Sequence, residues 1–176
     1  MKDAVRKSKW KGIITPIQGN VLLALSQFRL LSLSQMLRLS VGTSSKSYLR
    51  KQVSALMERQ KPLVDCHRFT SPERTKGRVE SLYFLSKYGA RELMVEMGMQ
   101  ESEIKYPKKK NMFFKDYWHR RYTIDFEIHL NLWAKARGIE ILFFDTYFDV
   151  TGNNRSSKNL RAKTRMPLDQ TDYIIP

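Results

Sequence analysis

Between residues 16 and 57, hydrophobic positions recur every three to four residues, a spacing that predicts helices. Pro16 suits the first turn of a helix, where its missing N–H costs nothing. The apolar stripe of this first helix is Val21, Leu22, Leu25 and Phe28. Ser32 and Ser34 are both suitable N-caps for a short second helix, Leu33–Leu39.

A third helix follows a turn at Val41-Gly42-Thr43, and either Ser44 or Ser45 caps it. Its apolar face contains Tyr48, Leu49, Val53, Leu56 and Met57. The opposite face carries the basic residues Lys46, Arg50 and Lys51. The pattern therefore predicts an amphipathic helix that ends before Pro62.

Two β-rich runs, 63–69 and 79–85, flank a polar segment and predict a hairpin with a long basic tip. The basic residues of that tip are Arg74, Lys76 and Arg78. Ser86 then caps a fourth helix, which stops at Gly98. The order helix, helix, turn, helix, hairpin, helix is that of a winged helix-turn-helix domain, over 16–98.

The segments outside residues 16–98 are predicted to be an arm, a linker and part of a second domain. Residues 1–15 form a basic flexible arm and 99–112 a linker, while 113–176 begin a second domain. A long helix over 113–137 has an apparent apolar stripe of Trp118, Tyr122, Phe126, Leu130 and Trp133. Strands are predicted at 139–144, which is expected to be buried, and at 172–175, with a polar mobile loop over 151–164. One helix and two strands bury little surface, so we expect a fragment of a longer protein.

The charge is strongly basic. There are 32 Lys and Arg residues against 17 Asp and Glu, a formal net charge of +15, which favours a polyanionic partner. No apolar run has the length of a membrane span or the character of a signal peptide. The single cysteine, Cys66, excludes an internal disulfide and is interpreted as a buried, inert thiol. These features fit a protein of the reducing cytoplasm with no membrane partner.

The third helix is the candidate DNA-reading element, because the major groove admits one helix whose N-terminal side chains reach base edges. The candidate contacts on it are Ser44, Ser45, Lys46, Ser47, Tyr48, Arg50 and Lys51. Arg50 suits a guanine, and Lys46 and Lys51 suit phosphates. Further contacts are expected from the hairpin tip, Arg74, Lys76 and Arg78, and from Lys108, Lys109 and Lys110. The alternative is a winged helix that binds protein, with these charges merely solvated.

The long helix also carries acidic residues. Asp125 or Glu127 is a candidate ligand of a magnesium nuclease, although such a site needs oxygen ligands from several elements. Asp125 shares a helix face with Arg121 and His129, and spacing alone favours a surface pairing of these three. The metal ligands therefore stay unknown at this point.

Several segments resemble the replication-relaxation family, which includes the MobC-type relaxases of mobilisable plasmids. The N-terminal segments that carry the resemblance are Val21-Leu22-Leu23-Ala24-Leu25, Leu33-Ser34-Gln35-Met36-Leu37, Tyr48-Leu49-Arg50-Lys51-Gln52-Val53 and Tyr83-Phe84-Leu85-Ser86-Lys87-Tyr88-Gly89. His119-Arg120-Arg121-Tyr122-Thr123-Ile124-Asp125 resembles the family's H-x-x-x-x-N-D helix start, with Ile124 in place of the usual Asn. The similarity covers most of the chain through short motifs.

The resemblance implies an α+β fold: a winged helix-turn-helix domain followed by an incomplete α/β domain of the restriction-endonuclease type. It implies recognition of double-stranded plasmid DNA at an origin of transfer, with accessory mobilisation and coupling proteins as further partners. The intact protein would nick that DNA with Mg²⁺ or Mn²⁺, and Asp125 or Glu127 would match a catalytic helix acid. Tyr173-Ile174-Ile175-Pro176 resembles the strand that leads into the family's Pro-Asp metal ligand.

Because no Asp follows Pro176, we expect this chain to bind DNA, to hold no metal and not to nick. One alternative is a winged-helix regulator of transcription or plasmid replication, with a dimerisation tail and no catalytic activity. Another is an adaptor that binds a protein through the same surface.

Overall fold

A computed structural model describes residues 14–69, 79–107, 117–142, 144 and 146, and the backbone of 164–168 and 171–175. The described chain is α+β. Its α-helices are α1 Pro16–Phe28, α2 Leu33–Arg38, α3 Lys46–Met57, α4 Lys87–Met97 and α5 Tyr117–Ala136. Its strands are β1 Val64–His67, β2 Leu82–Leu85, β3 Thr164–Leu168 and β4 Thr171–Ile175. By its contacts the chain divides into two units, Met1–Leu132 and Trp133–Pro176.

Side chains fix where the helices begin. The Ser32 hydroxyl caps α2 by accepting the Gln35 N–H, and the Gln35 side-chain oxygen accepts the Ser32 N–H, which makes a complete capping box. Ser45 caps α3 and Ser86 caps α4, each by accepting a backbone N–H of the first turn. Gly98 ends α4 in the left-handed conformation, with φ of 66°. The sequence predicted Ser32 or Ser34 as the N-cap of α2 and Ser44 or Ser45 as that of α3. In the structure the N-caps are Ser32 and Ser45.

The core of the first unit is built around α1, which contacts α3, α4 and β2. Val21, Leu22 and Leu25 of α1 are completely buried. The residues that surround them include Leu49, Val53 and Leu56 of α3, Leu82 and Leu85 of β2, and Leu93 of α4. The predicted inner faces of α1 and α3 are therefore confirmed, except that Tyr48 is 45% exposed and Met57 is only half-buried.

The β1–β2 pair is antiparallel, with Val64 opposite Leu85 and His67 opposite Leu82. On its other side, Tyr83 of β2 exchanges backbone hydrogen bonds of 2.8 and 3.0 Å with Leu31. The chain just before α2 thus acts as a short third strand, and it fixes β2 to the helical core.

Gly42 shapes the turn between α2 and α3. Its φ of 100° lies in the region that favours glycine, and the Asn20 side chain of α1 donates a 3.3 Å hydrogen bond to the neighbouring Val41 carbonyl. The predicted turn at 41–43 is present, and α1 holds it in place.

The predicted apolar stripe of α5 is wrong. Trp118, Tyr122 and Phe126 are between 44% and 62% exposed, whereas the buried residues on this helix include Tyr117, Ile124, Glu127 and Ile128. Apolar side chains lie on both sides of α5, so periodicity alone does not identify the inner face. Polar contacts identify it, because Gln35 of α2 donates to the Asp125 carboxylate and to the Arg121 carbonyl, at 3.0 and 3.2 Å.

The predicted strand over 139–144 is also wrong for the residues described there. Ile139 to Leu142, and Phe144, have no regular secondary structure, and Leu142 is 85% exposed. An apolar run becomes a strand only when a partner strand pairs with it, which the local sequence does not encode. The end of α5 at Gly138, with φ of 66°, is confirmed.

In the second unit, β3 and β4 pair antiparallel, from Thr164 opposite Ile175 to Leu168 opposite Thr171. The predicted strand at 172–175 is confirmed, and β3 was not predicted. The predicted mobile loop lies outside the described residues apart from Thr164, which begins β3.

Two predicted connecting segments are partly described. Of the predicted linker, Ile104 is buried and the Lys105 N–H donates to the Ser26 carbonyl of α1 at 2.8 Å, after a single 3₁₀ turn at Glu101–Glu103. Of the predicted N-terminal arm, Ile14 is buried and Thr15 caps α1. Residues 1–13 lie outside the described residues.

Substitution of Gly89 tests how closely α4 packs against the backbone at Leu63. A Cβ at Gly89 would overlap the Leu63 carbonyl oxygen, which also accepts the Ser86 N–H at 3.0 Å. We expect Gly89→Ala to lower the free energy of unfolding by about 1–3 kcal/mol, although alanine favours helix formation. Urea unfolding measures this loss. Arg91→Ala on the exposed side of α4 is the control and should stay within about 0.5 kcal/mol of wild type; equal values for both variants would contradict the packing.

Candidate nucleic-acid interface

The outward face of α3 lies opposite its buried residues. Leu49, Val53 and Leu56 face the core, whereas Ser47 and Lys51 are exposed. Ser44 and Ser45, just before the helix, are exposed as well. Tyr48 is half exposed at one edge of this face, and Arg50 is exposed at the other. The structure thus places most of the predicted DNA-contacting residues of α3 on one accessible side.

Lys46 differs from the other predicted contacts. Its ammonium donates to the Ser34 hydroxyl at 2.8 Å and lies 3.0 Å from a carboxylate oxygen of Glu80. Its side chain is still 47% exposed, so it can approach a ligand, but Glu80 already balances its charge. Lys46 therefore offers less unbalanced positive charge than Lys51 or Arg50.

Glu80 is the centre of a junction of four elements. It lies just before β2, and its carboxylate accepts from the backbone N–H and the hydroxyl of Ser34 in α2, at 3.1 and 2.9 Å. It also pairs with Lys46 of α3 and, at 3.4 Å, with Arg121 of α5. Tyr117 of α5 donates to the Glu80 backbone carbonyl at 2.8 Å. We call these five residues the Glu80 junction.

The ionisation of Glu80 reflects these contacts. Burial raises the pKa of its carboxyl, but the hydrogen bonds from Lys46 and Ser34 together outweigh burial and hold the pKa below its ordinary value of 4.5. The carboxylate is therefore charged near neutral pH. The sequence pattern did not single out Glu80; its signal is an acidic side chain at the start of a β-rich apolar run.

A groove of about 900 Å³ lies between α3 and the β1–β2 sheet. Among the described residues, its charged lining consists of Lys46, Arg50, Glu58, Arg68, Glu80 and Arg121. Arg68 follows β1, and the sequence pattern did not single it out because it is one basic residue within the β-rich run 63–69. Cys66 of β1 lines the same groove and is half-buried, so its predicted full burial is wrong.

The two candidate catalytic acids have partners within the fold. Asp125 pairs with Arg38 of α2 at 3.1 Å and accepts from Gln35 at 3.0 Å. Glu127 is buried and lies 4.0 Å from the Lys105 ammonium. Two residues apart on a helix, their side chains leave it about 200° apart and cannot bind one ion together.

The expected surface pairing within α5 also differs. Arg121 binds Glu80, and His129 contacts the Asp125 backbone carbonyl at 2.7 Å rather than its carboxylate. No group of three His, Cys, Asp or Glu side chains placed to hold a metal occurs among the described residues. In this part of the chain, the side chains do not fit a Mg²⁺ or Mn²⁺ site.

Some predicted contacts lie outside the described residues: Arg74, Lys76, Arg78, Lys108, Lys109 and Lys110. In the part of the chain that is described, no helix combines the length and the apolar character needed to cross a membrane.

Comparison of the chain with protein-family models, with curated proteins and with solved structures finds no match. The resemblance to the replication-relaxation family therefore stays a prediction from sequence motifs.

The Glu80 junction gives a pH-dependent prediction. Because the pKa of Glu80 is lower in the folded chain than in the unfolded chain, its contribution to stability is complete above pH 4.5. That contribution is lost as pH falls through the folded-state pKa. We expect the unfolding free energy of Glu80→Gln to fall less than that of wild type on acidification through this range.

Urea unfolding at a series of pH values makes this comparison. Glu92→Gln on α4, outside the Glu80 junction, is the matched control and should follow the wild-type curve. Identical pH curves for wild type and Glu80→Gln would show that the junction does not stabilise the fold through the Glu80 charge.

Proposed function

We propose that residues 16–98 form a winged helix-turn-helix domain that binds duplex DNA through α3. The order of α1, α2, α3, the β1–β2 pair and α4 supports this assignment. The net charge of +15 supports a polyanionic ligand.

The observation that carries the proposal is the outward face of α3. A helix with Leu49, Val53 and Leu56 anchored in the core presents Ser47 and Lys51 away from the protein. The major groove, about 12 Å wide, admits such a helix. Hydroxyl and ammonium groups on its first two turns are suited to base edges and phosphates.

Lys51→Ala tests this binding mode. We expect the wild-type chain to bind duplex DNA with an affinity that falls steeply with salt, since each neutralised phosphate releases a counterion. Removing Lys51 should weaken binding several-fold and make the slope of log affinity against log salt shallower by about 0.9. Fluorescence anisotropy at several salt concentrations measures both. Arg91→Ala, an equal charge loss on α4, is the control; equal losses for the two variants would place the binding face elsewhere.

We further propose that the protein is a mobilisation relaxase, a function that the sequence motifs support. Its DNA would then be plasmid DNA at an origin of transfer, in the cytoplasm. The regulator is the second candidate, and a specific observation favours it. Asp125 and Glu127 are held by Arg38, Gln35 and Lys105 rather than directed towards one metal position.

A nicking assay tests the catalytic prediction for this chain. We expect the 176-residue chain to bind supercoiled plasmid without relaxing it in Mg²⁺ or Mn²⁺. Agarose gels separate supercoiled, nicked and linear forms. Metal-dependent nicking that disappears in Asp125→Asn or Glu127→Gln would contradict this prediction and show that the chain is itself a nuclease.

A further inference from the structure

We propose that the groove between α3 and the β1–β2 sheet holds the phosphodiester backbone of one DNA strand, between Arg50 and Arg68. This inference rests on the proposed binding of duplex DNA and adds a second contact surface beside the outward face of α3. It also changes the role of Arg50, which becomes a phosphate ligand rather than a reader of guanine.

The charges of the groove support a single anionic position. Lys46 and Arg121 share the carboxylate of Glu80, so their charges are largely balanced. Among the described residues, Arg50 and Arg68 form no ion pair. Two cations that the protein leaves uncompensated in one groove attract an anion from solution.

The charge of Glu58 makes one end of the groove less favourable for a phosphate than the other. It is the C-cap of α3, whereas Arg50 lies in the second turn from the N-terminus. A phosphate is repelled by Glu58 at the C-terminal end and attracted by Arg50 nearer the N-terminal end. The preferred position is therefore the one beside the outward face of α3.

Tyr83 provides a fixed point in this groove. Burial raises the pKa of its hydroxyl, while Arg50 and Arg68 both oppose that rise, so both guanidinium groups lie within electrostatic range of it. The Tyr83 backbone is paired with Cys66 on one side and with Leu31 on the other. Arg50 of α3 and Arg68, which follows β1, line the same groove as this rigid sheet position.

The chemistry of the lining favours a sugar-phosphate backbone over a small molecule. Small-molecule pockets are mostly apolar with a few polar groups, whereas six of the residues that line this groove are charged. Guanidinium groups bind phosphate through paired, directional hydrogen bonds. A duplex whose major groove receives α3 also brings its own backbone alongside that helix.

Substitution of the two arginines tests the proposal. We expect Arg68→Ala and Arg50→Ala each to weaken binding by a similar factor on two unrelated duplexes of equal length. Each should make the salt slope shallower by about 0.9, and the double variant by about twice that amount. Arg68→Lys keeps the charge and should retain the wild-type slope. Arg91→Ala is again the control, and circular dichroism verifies that all variants fold.

The other possible outcomes of these experiments can be told apart, because each overturns a different claim. A wild-type chain that binds no duplex refutes the proposed function itself. A wild type that binds, with Arg68→Ala unchanged, overturns only the backbone groove. Loss of discrimination between the duplexes in Arg50→Ala makes Arg50 a base reader and also overturns it. Arg68-dependent binding of pyrophosphate that leaves the affinity for DNA unchanged, at constant ionic strength, would assign the groove to a free phosphate compound instead.

Discussion

The carboxylate of Glu80 is the interaction on which the arrangement of the first unit depends. It accepts from the start of α2, pairs with the start of α3 and with α5, and belongs to the segment that enters β2. Four elements distant in sequence therefore meet at one half-buried charge. Burying a carboxylate is costly unless cations and N–H groups surround it, and here Lys46, Arg121 and Ser34 do so. The position of α3 beside the sheet follows from this junction together with the apolar core.

Two groups of basic residues in the first unit have different consequences. Arg38, Lys46 and Arg121 are paired with carboxylates inside the first unit, where they join helices to one another. Arg50, Arg68 and Lys51 have no such partner among the described residues. The basic residues behind the net charge of +15 are therefore not equally available to contact DNA. Arg50 and Lys51 lie on α3 and Arg68 lies just after β1, which is why the proposed interface is placed there.

The sequence predicted well those features that are set by local rules. Apolar spacing identified the inner faces of α1 and α3, serines marked the helix starts, and Gly98 marked the end of α4. The sequence-based prediction failed for features that depend on contacts with residues distant in the sequence. The exposed side of α5 was mistaken for its inner side, since the exposed Phe126 is as apolar as the buried Ile124. Neither Glu80 nor Arg68 was singled out, because their importance arises only when α3, α5 and the sheet are brought together.

Photocrosslinking from α3 tests the central claim, that this helix faces duplex DNA, most directly. Cys66 is the only cysteine, so Ser47→Cys in a Cys66→Ser background allows a photoreactive group to be placed at one chosen position. The account predicts crosslinks from position 47 to bases within the major groove, and none from the matched Arg91→Cys variant on α4. Crosslinks from position 91 alone, or equally from both positions, would contradict it.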